Sequence, residues 1–370
     1  MKKILIMGAA ALSIASCNNN TKGYLIEGTT ANKALEGKMV LLQVQEGREL
    51  VPMDTAFVEN GKFTFKGEQP AAAYYFLTAE NGENIGIPAT QFILENSKYT
   101  VSLDSITEIS GSALNNTFRT YAATNRALSN KQEAIRNKFM AMTQDQTITE
   151  EIEAELKGEF EKIDGEKIEL AKSFVNTNLS NIAGANVFAQ IARMLPTEEQ
   201  ESILNSASGE FLTQKPIEQI KEHINILKRT AVGQPFVDIR MATPEGDTLA
   251  ISDLVGKHKV IMIDFWATWC GPCRAEMPNL VELYKNYNKK GLEIIGVSLD
   301  RDETSWKNYI KSNKLEWKHI SDLQFWNSAG AKAYGVNSIP HIVLLDEKGT
   351  IISRGLHGQE LIEKVTELLK

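Results

Sequence analysis

The stretch VIMIDFWATWCGPCR, residues 260–274, decides the fold of the C-terminal part of the chain. Its first half is an apolar run typical of a buried strand, and the segment that follows has the features of a helix start. Pro272 fits the first turn of a helix, because no amide hydrogen bond is lost there. The two-residue gap lets the sulfurs of Cys270 and Cys273 approach disulfide distance with little strain. The stretch therefore predicts a strand that runs directly into a helix carrying both cysteines at its start.

The cysteine content indicates that this pair performs chemistry. The chain has three cysteines in 370 residues, Cys17, Cys270 and Cys273. A disulfide-stapled secreted domain needs several pairs, and a bridge across so short a loop constrains the unfolded chain little. A zinc site needs two further ligands at metal-like spacing, and the histidines of the C-terminal region are isolated in the sequence. We expect no metal and no other cofactor.

The composition excludes several classes of protein. With 42% hydrophobic and 24% charged residues, the chain has the balance of a folded protein and not of a disordered one. Its formal net charge is −7 and its pI is about 5.5. Because it also has no long run of lysine and arginine, nucleic acid is not expected as a partner.

The N-terminus has the pattern of an export signal. Two lysines precede the apolar residues 4–15, a run too short to cross a bilayer as a helix. The segment resembles a bacterial lipoprotein signal, which implies removal of residues 1–16 and lipid attachment at Cys17. Residues 17–23 then form a polar tether, and the protein is expected on the periplasmic side of the cell envelope, anchored by lipid. The alternative is an ordinary secretory signal with an incidental cysteine.

Residues 24–111 contain short alternating segments that predict an all-β sandwich. Asn60 and Gly61 predict a tight hairpin turn, because these residues tolerate positive φ angles, between strands at 55–58 and 62–66. The segment contains neither histidine nor cysteine. A structural or docking module is therefore expected. The region is similar to a β domain that precedes thioredoxin domains in some bacterial lipoproteins.

Residues 112–229 predict a central helical region. Apolar residues recur at three and four positions in 118–142 and in 148–163, the pattern of amphipathic helices. Shorter helical patterns follow at 182–194, 197–206 and 217–228. The methionine and aromatic stripes of the long helices are interpreted as core packing, with a binding groove as the alternative.

Residues 230–370 predict a separate α/β domain. All five tryptophans lie in it, at positions 266, 269, 306, 317 and 326. Apolar runs at 259–266, 292–299 and 341–346 alternate with helical patterns, which is the order of strands and helices around a mixed sheet. The expected fold class is thus multidomain: an N-terminal β-sandwich, a central α-helical segment and a C-terminal α/β domain.

Here the sequence resembles a known family. Residues 264–273 closely resemble the active site of thioredoxin, and 274–278 resemble its membrane-tethered branch, represented by TlpA and ResA. The Ile339-Pro340 pair matches the cis-proline loop of that fold. The resemblance covers 230–370 and implies a thioredoxin-like fold with thiol-disulfide oxidoreductase activity.

Three residues are expected to be catalytic. At a helix start, Cys270 faces free amide N–H groups that lower its pKa, so it is the attacking sulfur, while Cys273 resolves the mixed disulfide. The family match assigns Asp264 the role of taking the proton from Cys273; an Asp held only for structure is the alternative. Many TlpA and ResA relatives carry Asn there, so this position is nearer to thioredoxin itself. Glu276 matches an acidic position of the branch and either tunes the site or lies on a solvated helix face.

The substrate is expected to bind around the cysteine pair. The residues assigned to this surface are Trp269, Gly271, Pro272, Ile339 and Pro340. The loop at Ile339 would expose peptide groups beside the sulfurs, so that an extended substrate chain can pair with them.

The sequence therefore predicts a membrane-anchored thiol-disulfide oxidoreductase, a reductase or isomerase, acting on protein disulfides in the cell envelope. A membrane-embedded electron donor is the expected partner. Two alternative functions remain open on the sequence. A peroxiredoxin-like peroxidase would carry Thr three residues before the cysteine, where this chain has Ala267. In a ligand-binding envelope lipoprotein, the thioredoxin fold would be a structural or sensing module.

Overall fold

The structure is a computed structural model that describes residues 22–47, 49–80 and 82–370. The predicted signal peptide, Cys17 and most of the tether lie outside the described residues. No helix in the described part is both long enough and apolar enough to cross a membrane. The chain divides into two compact units, with the division between Ile217 and Glu218.

In the part of the first unit that the structure describes, eight strands are followed by helices. The strands are β1 (Tyr24–Thr29), β2 (Met39–Glu46), β3 (Glu49–Phe57), β4 (Lys62–Gly67), β5 (Ala73–Ala79), β6 (Thr90–Leu94), β7 (Lys98–Ser102) and β8 (Glu108–Ser110). The helices are α1 (Ala113–Gln144), α2 (Glu150–Thr177), α3 (Ile182–Ile191), α4 (Thr197–Ser206) and α5 (Gly209–Leu212). Helix α6 (Lys215–Arg229) crosses the division between the units.

The strands of the first unit form the predicted sandwich. One sheet has the order β4-β1-β7-β8 and the other β3-β2-β5-β6. Ile26 and Phe65 of the first sheet share one buried cluster with Leu42 and Leu77 of the second. Since each strand alternates between inward and outward side chains, the apolar faces of the two sheets cover each other.

The predicted hairpin around Asn60 is wrong in one respect. Asn60 and Gly61 do form a tight turn with positive φ angles of 52° and 69°. However, β3 pairs with β2, whereas β4 pairs with β1, so the flanking strands belong to different sheets. The Glu36 carboxylate accepts hydrogen bonds from the amides of Asn60 and Gly61 at 2.7 and 3.1 Å, which holds the turn. The turn chemistry predicts the turn but not the strands' partners.

The helical stripes only partly match the expectation of core packing. Near the sandwich, Phe118 and Tyr121 of α1 are buried, and the Tyr121 ring lies 4.6 Å from that of Phe174 in α2. At the far end of α1, Phe139 is 36% exposed and Met140 60% exposed. Core packing therefore holds only in part for the α1 stripe, whose Phe139 is exposed, whereas Leu156 and Ile163 of the α2 stripe are buried.

The second unit is an α/β domain built on one mixed sheet. Its strands are β9 (Arg240–Ala242), β10 (Thr248–Ala250), β11 (Val260–Trp266), β12 (Leu292–Ser298), β13 (Lys318–Ser321), β14 (His341–Asp346) and β15 (Ile351–Arg354). Its helices are α7 (Gly271–Tyr287), α8 (Glu303–Ser312), α9 (Ala329–Ala333) and α10 (Gly358–Leu368). The sheet order is β10-β9-β13-β12-β11-β14-β15.

The second unit begins within α6, ahead of the predicted start at residue 230. A Cβ on Gly335 would lie 3.1 Å from Leu227 and 3.3 Å from Ile226, so the last turns of α6 pack against this unit. Residue 230 marks the end of the helix, which a helical pattern and a composition shift can locate. The tertiary contacts of α6 are not visible in the sequence.

The central strand β11 positions the site. All seven of its residues are buried, and it lies between β12, which runs parallel to it, and β14, which runs antiparallel. A strand covered on both faces and on both edges reads as a continuous apolar run, as this one does. Its carboxyl end leads through three residues to Cys270, where α7 begins.

Candidate active site

Cys270 and Cys273 form a disulfide at the first turn of α7, with their Cα atoms 5.3 Å apart. Cys270 is the residue that caps the helix, and its sulfur accepts a hydrogen bond from the amide N–H of Cys273 at 3.1 Å. After reduction, this N–H and the positive end of the helix dipole would stabilise a thiolate on Cys270. Cys270 is 5% exposed and Cys273 1% exposed. The sulfur predicted to attack is therefore the more accessible of the two.

The two residues between the cysteines lie open to the outside. Gly271 and Pro272 are both exposed, and a Cβ on Gly271 would meet no atom within 4 Å. Pro272 stands in the first turn of α7, where its missing N–H costs no intrahelical bond. The helix start thus leaves free space in front of the disulfide.

Asp264 lies on β11, six residues before Cys270 in the sequence. It is 1% exposed, and its Oδ2 atom is buried without a hydrogen-bond partner among the described residues. Burial, with a smaller contribution from the negative charge of Glu276, raises the pKa of Asp264 from 3.8 to about 7. A carboxyl with this pKa can both take and release a proton at neutral pH. The unpartnered oxygen disfavours a purely structural Asp held by hydrogen bonds.

Glu276 is half-buried on α7, one turn after Cys273. Its Oε1 atom accepts hydrogen bonds from the amide of Gly358, at the start of α10, at 3.1 Å and from the Asn279 side chain at 3.3 Å. These contacts fix the carboxylate within reach of Asp264, whose pKa it raises. Of the two interpretations of Glu276, the structure favours tuning of the site over a solvated helix face.

The Ile339-Pro340 bond is cis, and its loop lies beside the disulfide. The carbonyl oxygen of Ile339 is 3.7 Å from the sulfur of Cys270, so a reduced Cys270 thiol can donate to it. Ile339 and Pro340 are half-buried. The loop that is expected to bind an extended substrate therefore lies next to the helix start that carries Cys270.

Asp300 was missed by the sequence analysis. It is 2% exposed, and its carboxylate accepts hydrogen bonds from the Thr268 amide at 3.1 and 3.2 Å and from the Thr268 hydroxyl at 2.6 Å. The Ser298 hydroxyl donates to it at 2.7 Å. These bonds fix the loop that ends at Cys270. The signal that could have found Asp300 is an acidic residue two positions after the buried strand β12, which neighbours β11.

An aromatic cluster beside the disulfide was also missed in part. Trp269 is 45% exposed. The centre of its ring lies 4.9 Å from the centre of the Phe325 ring and 6.1 Å from that of the Trp326 ring. We call Trp269, Phe325 and Trp326 the aromatic platform. Only Trp269 was assigned to the substrate surface, because nothing in the local sequence places the segment after β13 next to the helix start.

No group of three or more His, Cys, Asp and Glu side chains arranged to hold a metal ion occurs in residues 22–47, 49–80 and 82–370. The groups observed at the site are the sulfurs of Cys270 and Cys273, the carboxyl of Asp264 and the rings of the aromatic platform. These groups suit proton transfer and thiol-disulfide exchange.

Two family models match the chain. A model described as thioredoxin-like matches residues 257–351, which include the disulfide and the Ile339-Pro340 loop. A domain of unknown function, DUF4369, matches residues 24–118, which include the sandwich. The two matches fall on different units of the structure.

Curated relatives match the C-terminal part of the chain. Thiol-disulfide oxidoreductase ResA of Bacillus thuringiensis subsp. konkukian is 32% identical over 143 residues, which are 39% of this chain and 79% of the relative. The ResA protein of Halalkalibacterium halodurans is 29% identical over 140 residues, 37% of this chain and 77% of the relative. Among solved structures, the thioredoxin domain of a thiol-disulfide oxidoreductase from Bacteroides vulgatus is 31% identical. It covers 38% of this chain and 99% of its own, with a TM-score of 0.36.

Proposed function

We propose that this chain, which belongs to the ResA-like thiol-disulfide oxidoreductases with a thioredoxin-like domain, reduces or rearranges disulfide bonds of polypeptides in the cell envelope. The observation that carries the proposal is the disulfide between Cys270 and Cys273 at a helix start, with an unpartnered, buried carboxyl on the strand leading to it. A purely structural bridge has no use for that carboxyl. A pair that opens and closes needs a group to take and return a proton.

The reaction begins with the reduced form. The Cys270 thiolate attacks one sulfur of the substrate disulfide, so a bond forms between Cys270 and that sulfur while the substrate's own S–S bond breaks. The second substrate sulfur leaves as a thiolate and is protonated. The product of this step is a mixed disulfide between enzyme and substrate.

The second step closes the bridge seen in the structure. Asp264 in its carboxylate form takes the proton of the Cys273 thiol, and the resulting thiolate attacks the Cys270 sulfur. The bond from Cys270 to the substrate breaks, and the remaining substrate sulfur leaves as a thiolate that is then protonated. Two electrons have passed from the enzyme dithiol to the substrate. Because the pKa of Asp264 is about 7, the carboxyl can exchange protons near neutral pH.

The site does not favour peroxidase chemistry. Where the peroxidatic signature has a threonine, this chain has Ala267, which is fully buried and has no hydroxyl to offer a peroxide. A substrate polypeptide, in contrast, meets open space at Gly271 and the carbonyl of Ile339.

The place of action and the electron supply complete the proposal. The lipoprotein-like signal over residues 1–16, followed by Cys17, supports anchoring of the chain to a membrane by lipid, on the periplasmic side. Each turnover leaves the enzyme oxidised, so a membrane-embedded donor of two electrons is needed to restore the dithiol.

Trapping tests the proposal. In a Cys273→Ser variant the mixed disulfide on Cys270 cannot be resolved, so complexes with envelope polypeptides should accumulate on non-reducing gels and disappear on reduction. Cys270→Ser is the matched control, since it keeps one thiol at the same helix start but lacks the attacking sulfur. Equal trapping by both variants, or none by Cys273→Ser, would contradict the proposed order of attack.

A further inference from the structure

The aromatic platform carries a positive charge at its edge. The guanidinium of Arg301 lies 4.1 Å from the centre of the Phe325 ring. Phe325 in turn contacts Trp269, the chain neighbour of the attacking Cys270. A guanidinium stacked on a ring keeps the N–H groups at its edge free to bind a carboxylate. An aromatic surface and a cation thus meet next to the reactive disulfide.

The segment that carries Phe325 is held in an uncommon conformation. Leu323 and Phe325 both have φ angles of 56°, a region that large side chains seldom adopt. The Asp322 carboxylate accepts hydrogen bonds from the amides of Gln324 at 3.2 Å and of Ala329 at 2.7 Å. These bonds fix the loop that turns Phe325 and Trp326 toward Trp269. The platform is therefore a built surface and not a chance contact of flexible side chains.

Among the residues that the structure describes, no anion competes for Arg301. Arg301 is exposed, and in the described part of the chain no carboxylate oxygen lies within ion-pair distance of its guanidinium. Its neighbour Asp300 is buried and is occupied by Thr268 and Ser298. Asp302 uses its carboxylate to cap α8 through the amide of Ser305 at 2.7 Å. The carboxylate of a bound substrate could therefore pair with the Arg301 guanidinium.

We propose that Arg301 and the aromatic platform select polypeptide disulfides in which the reacting cysteine is flanked by an acidic residue and an aromatic one. The inference rests on the proposed function, whose substrate it narrows. The acidic side chain binds the Arg301 guanidinium, and the aromatic side chain packs on Trp269 and Trp326. The whole-chain charge argues for the opposite preference: at −7, the protein as a whole repels an acidic peptide. A preference for acidic substrates must therefore come from a local cation.

Synthetic peptides test the inference on the full-length reduced protein. Each peptide carries one cysteine as a mixed disulfide with 2-thiopyridine, in the contexts Phe-Glu-Cys, Phe-Gln-Cys, Phe-Lys-Cys and Ala-Glu-Cys. In the measured step a bond forms between the Cys270 sulfur and the peptide sulfur, and thiopyridone leaves and is followed by its absorbance. Each rate constant is divided by that of the same peptide with dithiothreitol, which removes the peptide's intrinsic reactivity.

The wild type should react with the Glu peptide about two to five times faster than with the Gln peptide, the range expected for an exposed ion pair. The Lys peptide should be slowest, and the preference should shrink as salt is added. The Ala-Glu-Cys peptide should react more slowly than Phe-Glu-Cys because it lacks the ring that packs on the platform.

Variants separate Arg301 from other cations. Arg301→Gln should abolish the Glu-over-Gln preference. Lys348→Gln removes an equal charge from the turn between β14 and β15, where Asp346 pairs with Val260 at the opposite end of β11 from Cys270, and it should keep the preference. No preference in the wild type, or the same preference in Arg301→Gln, would overturn the inference. Failure of the proposed function looks different: no peptide would then react faster with the wild type than with Cys270→Ser.

Discussion

Replacing Asp264 with Asn should change how the stability of the second unit depends on pH. Burial raises the pKa of Asp264 from 3.8 to about 7, with a contribution from the charge of Glu276. Between these two values the folded chain keeps a proton that the unfolded chain has released. Stability is therefore lost as the pH rises from about 4 through 7. The neutral Asn side chain cannot contribute this loss.

The size of the effect follows from the pKa. One pKa unit corresponds to about 1.4 kcal/mol, so a rise from 3.8 to about 7 costs the folded state about 4 kcal/mol above pH 7. At pH 5 only part of this cost is present, roughly 1.5 kcal/mol. The free energy of unfolding of Asp264→Asn, relative to the wild type, should thus increase by about 2.5 kcal/mol between pH 5 and pH 8. Any fixed cost of burying the Asn amide cancels in this comparison.

Urea unfolding followed by tryptophan fluorescence is a suitable assay. All five tryptophans lie in the second unit, so the signal of the full-length oxidised protein reports that unit alone. Asp247→Asn, a change to an exposed acid of the same unit, is the control and should follow the wild-type pH dependence. Glu276→Gln should shift the wild-type loss toward lower pH, because it removes the neighbouring charge. A stability difference between Asp264→Asn and the wild type that stays constant from pH 5 to pH 8 would refute the reasoning.

Two further predictions concern direction and anchoring. Equilibration of the oxidised protein with dithiothreitol buffers should give a reduction potential nearer to about −270 mV than to about −120 mV, the reducing and oxidising extremes of this fold. The acidic groups at Asp264 and Glu276 oppose a strongly stabilised thiolate, and a potential near the oxidising extreme would argue against a reductase. A Cys17→Ser variant should lose lipid labelling and move from the membrane to the soluble fraction, whereas recovery of unlipidated wild type from the soluble fraction would contradict anchoring.

Much of the second unit could be predicted from the sequence because its signals are local. A continuous apolar run followed by Cys-Gly-Pro-Cys indicates both a buried strand and the helix start after it. The cysteine pair and Asp264 all lie within ten residues of each other, so one strand and one turn bring them together. The Ile339-Pro340 loop, some seventy residues away, came from the family resemblance and not from any local pattern.

The features that were missed depend on contacts between distant segments. Asp300 meets Thr268, and Phe325 meets Trp269, only because β12 lies next to β11 and β13 lies next to β12 in the sheet. In the first unit, Asn60 and Gly61 predict the turn between β3 and β4. The sheet that each strand joins depends on its pairing partner, which is β2 for β3 and β1 for β4. Local patterns predict the turn or the strand but not the segment with which it pairs.

The cost of Asp264 bears on its role. A carboxyl that lowers stability by about 4 kcal/mol at neutral pH consumes a large share of the 5–15 kcal/mol typical of a folded domain. Asn has nearly the same shape and carries no charge, so packing alone gives no reason for Asp at this position. The carboxyl also lacks a hydrogen-bond partner at Oδ2, so no structural contact at that atom offsets the cost. What Asp264 offers and Asn does not is a proton that can be exchanged near pH 7, on the strand that leads to the disulfide. The presence of this destabilising carboxyl is best explained by a role as acceptor of the proton that Cys273 must lose each time the disulfide forms.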